Sequence, residues 1–145
     1  MKENVKIFLI ALVIGMITAF FVCYKYDNTI FADALANKVT YFYVGSYNNL
    51  EDATNKKNGY KTAMIYPDNG IYKVIIGVYN KKESISLMES YFLDSGIEYR
   101  TSTLKVDNEL IRNIDSYELL IKSSNKNYYE NINESILNTF STYIN

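Results

Sequence analysis

The chain contains no histidine and no tryptophan, and only one cysteine and one proline. Without histidine it lacks the side chain that most readily moves a proton near neutral pH, and the usual zinc clusters lose their commonest nitrogen ligand. A single cysteine cannot build a disulfide framework, and Cys23 lies in an apolar run, where it reads as a small hydrophobe. We therefore expect no enzyme, no metal and no cofactor. Neither sign of charge is in excess: 15 Lys and Arg against 16 Asp and Glu give a formal net charge of −1. That balance offers no global attraction to nucleic acid or anionic lipid. What the chain has instead is tyrosine, 15 of its 145 residues, within a hydrophobic fraction of 48%. This suffices for the core of one modest domain.

Ile7 to Tyr24, "IFLIALVIGMITAFFVCY", is 18 residues without a charge. As a helix it would measure about 27 Å, enough to cross the hydrocarbon core of a bilayer. Lys2 and Lys6 precede it while Lys25, Asp27 and Asp33 follow, a slight lean toward an inside amino terminus. We read residues 1–24 as a cytoplasmic stub and transmembrane helix, 25–38 as a linker, and the remainder as lying outside the cell membrane. A cleaved signal peptide is the rival reading, with small residues at Ala32–Ala34 or Ala34–Ala36, but these stand farther past the apolar run than such sites usually do. Lipid modification at Cys23 is disfavoured by the bulk of Val22.

"YVGSYNN", Tyr43 to Asn49, recurs in altered form as "IIGVYNK", Ile75 to Lys81. A repeated strand-then-polar phrase marks two copies of one supersecondary unit. In the first copy Val39–Gly45 is β-branched and aromatic, and Asn48 with Glu51 has capping-box spacing for a short helix over about Leu50–Lys57. The second copy repeats this, with a strand over Ile71–Val78, Asn80 and Glu83 as the cap, and a helix carrying Ile85, Met88 and Phe92 on one face up to Gly96. Each helix leads into another strand, Lys61–Tyr66 and Ile97–Val106, and "PDNG", Pro67–Gly70, is a tight turn joining the halves. The expected fold class is α+β: a ferredoxin-like βαββαβ unit, with a four-stranded antiparallel sheet and both helices on one face. Alternation puts Phe42, Val44, Val74 and Ile76 beneath those helices and Tyr41, Tyr43, Ile71, Lys73 and Ile75 on the opposite face. That face is too apolar to leave to water without a reason. Gly45 and Gly77 read as strand positions where a side chain would obstruct packing.

In "YFYVGSY", "DNGIYKVIIGVY" and "KKESISLMESYFLDSGIEY", the stretch Val39–Val106 resembles the SPOR domain, a peptidoglycan-binding module of bacterial cell-division and sporulation proteins. The resemblance implies a membrane-anchored, tethered, extracytoplasmic domain (residues 39–106) whose sheet face binds glycan strands stripped of stem peptides. Carried over residue by residue, the contact positions fall on Tyr43, where the family commonly has Gln, on Ser46, on Ile71, where an aromatic is found, and on Lys73, where Arg is common. Beside this, Tyr41 and Tyr43 suit the apolar faces of pyranose rings. Lys73 could pair with a muramic-acid carboxylate as a point charge, without the fork of Arg. The plain alternative makes the tyrosines ordinary strand residues, Lys73 an edge charge and Ser46 a turn residue.

Residues 107–145 lie beyond the resemblance. Leu110, Ile114, Tyr117 and Ile121 fall at helical spacing, as do Tyr129, Ile132, Ile136, Phe140 and Tyr143, giving a carboxy-terminal helical hairpin. We expect it to pack away from the apolar sheet face and leave that face open. The function expected is non-catalytic peptidoglycan binding at division or sporulation sites. The alternative is a structural subunit that binds envelope or division proteins and no glycan. RNA binding is disfavoured for want of a basic stripe or a glycine-aromatic signature. Asp52, Glu83, Glu89 and Asp94 fall on helices away from the open face, which speaks against a hydrolase.

Overall fold

The computed structural model describes residues 37–144. The apolar run at 7–24, Cys23 and the cleavage candidates at 32–36 lie outside the described residues. Among the described residues no helix is long and apolar enough to cross a membrane.

The element order is β1 (Lys38–Tyr47), α1 (Leu50–Lys57), β2 (Met64–Asp68), β3 (Ile71–Tyr79), α2 (Lys82–Asp94), β4 (Arg100–Lys105), α3 (Asn108–Ser123), a 3-10 turn (Lys126–Tyr128) and α4 (Tyr129–Ile144). The four strands form one antiparallel sheet in the order β2-β3-β1-β4. The two strands bearing the repeated phrase are therefore the central pair, each followed by a helix. Asn69 and Gly70 take φ of 50° and 82°. This two-residue asparagine-glycine turn has the mirror-image twist that closes a hairpin between β2 and β3.

Both helix starts differ from the sequence expectation. At α1 the cap is Asn49, one residue later than expected, and its side chain accepts from the Asp52 amide at 2.8 Å. At α2 the cap position is Lys81, which makes no side-chain cap bond. Instead Glu118, from the middle of α3, accepts the amides of Asn80 and Lys81. A distant carboxylate thus braces the chain entering the helix at the cap residue and the one before it, where a local asparagine was expected to accept an amide of the first turn.

The β1–β3 register slips at two places: Phe42 faces Gly77 but Tyr43 faces Ile75, and Ser46 faces Lys73. These bulges let both strands keep their apolar residues on fixed faces while bending across each other. On the first face the Phe42 ring lies 5.4 Å from Phe92 of α2, 5.1 Å from Tyr99 and 5.7 Å from Tyr79. Gly77 is required here, since a Cβ would come within 2.8 Å of the Tyr79 ring and 3.2 Å of Phe92.

The expectation of an open second face is corrected. Tyr41 and Ile75 are 3% and 0% exposed, because the tail helices cover the middle of that face. Phe140 of α4 meets Tyr66 at 6.3 Å, and Tyr66 in turn meets Tyr41 at 6.0 Å. α4 reaches that position by crossing the edge of β3. Tyr129 packs on Tyr91 of α2 at 5.7 Å, and Asn133 donates to the Ile76 carbonyl at 2.7 Å, just past the end of β2's pairing. The Tyr79 hydroxyl donates to Asn133 Oδ1 at 2.5 Å. Burying a carbonyl and a phenol without partners would cost free energy, so this amide fixes where the helix crosses. The tail and the βαββαβ unit share one hydrophobic core.

Candidate functional site

The sheet's second face keeps an accessible margin at the end where β1 runs on toward Tyr47. Its most heavily contacted side chain is Lys73. The ammonium donates to Asp68 at 2.6 Å and to the Tyr41 hydroxyl at 2.9 Å. It also lies 5.4 Å from the Tyr41 ring centroid and 5.3 Å from that of Tyr43. The hydrogen bonds to Asp68 and Tyr41 hold its pKa well above the ordinary lysine value, and only 16% of the side chain is exposed. Burial, with the Asp68 charge next, pushes the neighbouring Tyr66 phenol upward as well. Lys73 is therefore a neutralised cation boxed in by two rings, a hydroxyl and a carboxylate.

The residues nominated from sequence occupy four kinds of position. Tyr41 is buried and acts as an acceptor for Lys73. Lys73 has its charge engaged by Asp68. Ile71 is 40% exposed, where β3 leaves the hairpin. Tyr43, half-buried, and Ser46, exposed, border a cleft of about 390 Å³ together with Val44, Gly45, Tyr47, Glu98, Tyr99 and Arg100. Neither Ile71 nor Lys73 lines that cleft.

The cleft follows from strand lengths. β4 pairs with β1 from Lys38↔Lys105 up to Tyr43↔Arg100 and starts there, while β1 continues to Tyr47 with only β3 beside it. The chain entering β4 through Glu98 and Tyr99 turns aside, and the gap becomes the cleft. Tyr99 is anchored from below by Phe42 and Phe92 at 5.1 and 6.0 Å, and its phenol is shifted upward, mostly by burial. Arg100 is exposed and has no ion-pair partner among the described residues. Sequence reading missed Arg100, Glu98, Tyr99 and Tyr47 as site residues. The signal for Arg100 is its alignment with Tyr43, which only the strand register shows.

Three of the four helical acids are engaged elsewhere. Asp52 completes the α1 cap, Glu83 pairs with Lys122, and Asp94 pairs with Lys126 at 2.8 Å.

No family model and no curated protein matches the chain. Among solved structures, the solution structure of the peptidoglycan binding domain of the B. subtilis cell wall lytic enzyme CwlC is similar, at 14% sequence identity and a TM-score of 0.38. The match covers 47% of this chain and 91% of that one. A likeness of that degree carries no weight for ligand or mechanism.

Proposed function

We propose that the chain is a non-catalytic, membrane-anchored protein whose SPOR-like domain faces the cell wall and binds peptidoglycan glycan strands at division or sporulation sites. The observation that carries this reading is the cleft where β1 outruns β4. It offers aromatic rings, an exposed hydroxyl at Ser46 and an unengaged guanidinium, which suit a polymer of pyranoses bearing amide and acid groups. Further support comes from the duplicated phrase on the central strands and the βαββαβ order followed by each copy's helix. The apolar run at 7–24 supplies the single-pass anchor and an extracytoplasmic location. The test is cosedimentation of the full-length chain, in mild detergent, with purified sacculi before and after amidase removal of stem peptides. Enrichment on the stripped material is expected. Equal pelleting on both, or none on either, would remove the reading.

One observation favours a protein-partner role instead. Leu87, Leu119 and Leu120 are 37%, 59% and 50% exposed on α2 and α3, and the covered sheet face leaves less surface for a glycan. Under that reading, envelope proteins crosslink to α2 and α3 and sacculi leave the chain in the supernatant.

A further inference from the structure

We propose that Arg100, and not Lys73, is the residue that reads the acid group of the glycan, with the cleft at the end of β1 as its binding site. The inference rests on the glycan-binding reading above and assigns its specificity.

Three kinds of chemistry meet in this cleft. Tyr43, Tyr47 and Tyr99 supply rings, and the Phe42 and Phe92 contacts hold Tyr99 firm, so that a sugar face can stack on a platform that costs little entropy to order. Val44 to Tyr47 form a strand segment with no β4 neighbour. Its backbone on that side offers the donors and acceptors that strand pairing would otherwise consume, and these match the N–H and C=O of an N-acetyl group. Arg100 stands opposite Tyr43, exposed, with a forked donor set suited to a carboxylate. Lys73 cannot serve in the same way, because its charge is already met by Asp68 at 2.6 Å and its donors are shared with Tyr41.

Glu98, exposed at the same rim, defines the ligand further. Its carboxylate accepts hydroxyl hydrogens but repels a second acid. The cleft thus fits one carboxylate at the Arg100 end, flanked by neutral, hydroxyl-bearing and amide-bearing sugar. In a strand freed of stem peptides each muramic acid regains a free lactyl carboxylate. An attached peptide converts that group to a neutral amide, which has no charge for Arg100 to meet.

The test compares two soluble probes with the full-length chain in mild detergent: peptide-free glycan-strand fragments carrying lactyl carboxylates, and chitin oligomers of equal length that lack them. Wild type is expected to bind the fragments about tenfold or more tighter than the chitin oligomers, the size of one charge-assisted contact. Arg100→Ala is expected to erase the difference, so that the two probes bind alike, and Arg100→Lys to recover part of it. Lys73→Met is expected to keep the preference. If Arg100→Ala retains the preference, or Lys73→Met alone abolishes it, the assignment to Arg100 is overturned while glycan binding stands. If wild type binds neither probe, both the assignment and the glycan reading are overturned together.

Discussion

At the scale of single residues, the second face shows how a strand residue can look like a ligand contact and be committed elsewhere. A lysine on an aromatic sheet face reads as a free cation until its partner is known, and the partner here is Asp68, five positions away across the hairpin. The pair is largely shielded from solvent, with side chains 16% and 29% exposed. Removing one member leaves the other poorly solvated and alone. Lys73→Met keeps the apolar stem under Tyr41 and Tyr43 but strands Asp68. We expect a loss of about 1–3 kcal/mol at neutral pH, read from chemical denaturation, and Asp68→Asn together with Lys73→Met should regain part of it. A single variant as stable as wild type would show that the ion pair contributes nothing. Tyr43 and Ser46 border one cleft because both lie on β1, and the bulge between them brings an odd-numbered and an even-numbered position to the same margin. The sequence could not bring Arg100 there. "IEYRTSTLKV" reads as a strand either way, and only the pairing Tyr43↔Arg100 puts the guanidinium beside the tyrosine.

At the scale of elements, both strand-helix units and both tail helices were legible from periodicity and turn residues, and the tail's destination was not. An amphipathic stripe states that a helix must be covered and says nothing about where. Phe140 and Ile136 show the demand; Tyr66 and the rest of the second face show how it is met. The α2 cap illustrates the same limit, since Asn80 and Glu83 have the spacing of a local cap while the bond is made by Glu118, 38 residues away from Asn80. Glu118 is fully buried, and it joins the tail to the βαββαβ unit. Burial raises its pKa, against the pull of the Asn80 and Lys81 amides; Asp115 raises it further and Lys81 opposes. Because the folded value lies above the unfolded one, the stability associated with the protonated form is complete below the ordinary glutamate value of 4.5. It is lost as pH rises through the folded value. Glu118→Gln keeps an acceptor oxygen and never ionises. It should match wild type at pH 4 and equal or exceed it at pH 7, compared by denaturant midpoints. Glu118→Ala leaves two amides without their acceptor and should cost about 1–3 kcal/mol at both pH values. A glutamine variant that falls alongside alanine would mean the charge itself is needed, against the burial argument.

At the scale of the whole molecule, the missing histidine becomes a statement about pH. No side chain with an ordinary pKa between about 5 and 8 is present to change charge there. The groups that folding shifts most visibly move upward: Lys73 through Asp68 and Tyr41, Tyr79 through complete burial with Glu118 next, and Tyr66 through burial with Asp68 next. A raised folded pKa means that the associated stability is fully present below the unfolded value, about 10 for tyrosine and lysine, and is lost above it. Thermal midpoints should therefore stay level from roughly pH 6 to 9 and fall steeply beyond pH 10. A Tyr79→Phe variant should lose stability at neutral pH, because Asn133 Oδ1 is left without its donor, yet fall less steeply in alkali. Carboxylic acids and arginine ordinarily titrate well outside that window, so glycan binding through such a pair should be equally level in pH. Being exposed, their contact should weaken as ionic strength rises and the charges are screened. Binding that switches between pH 6 and 8, or that ignores salt, would mean that some pairing other than Arg100 with an acid holds the ligand.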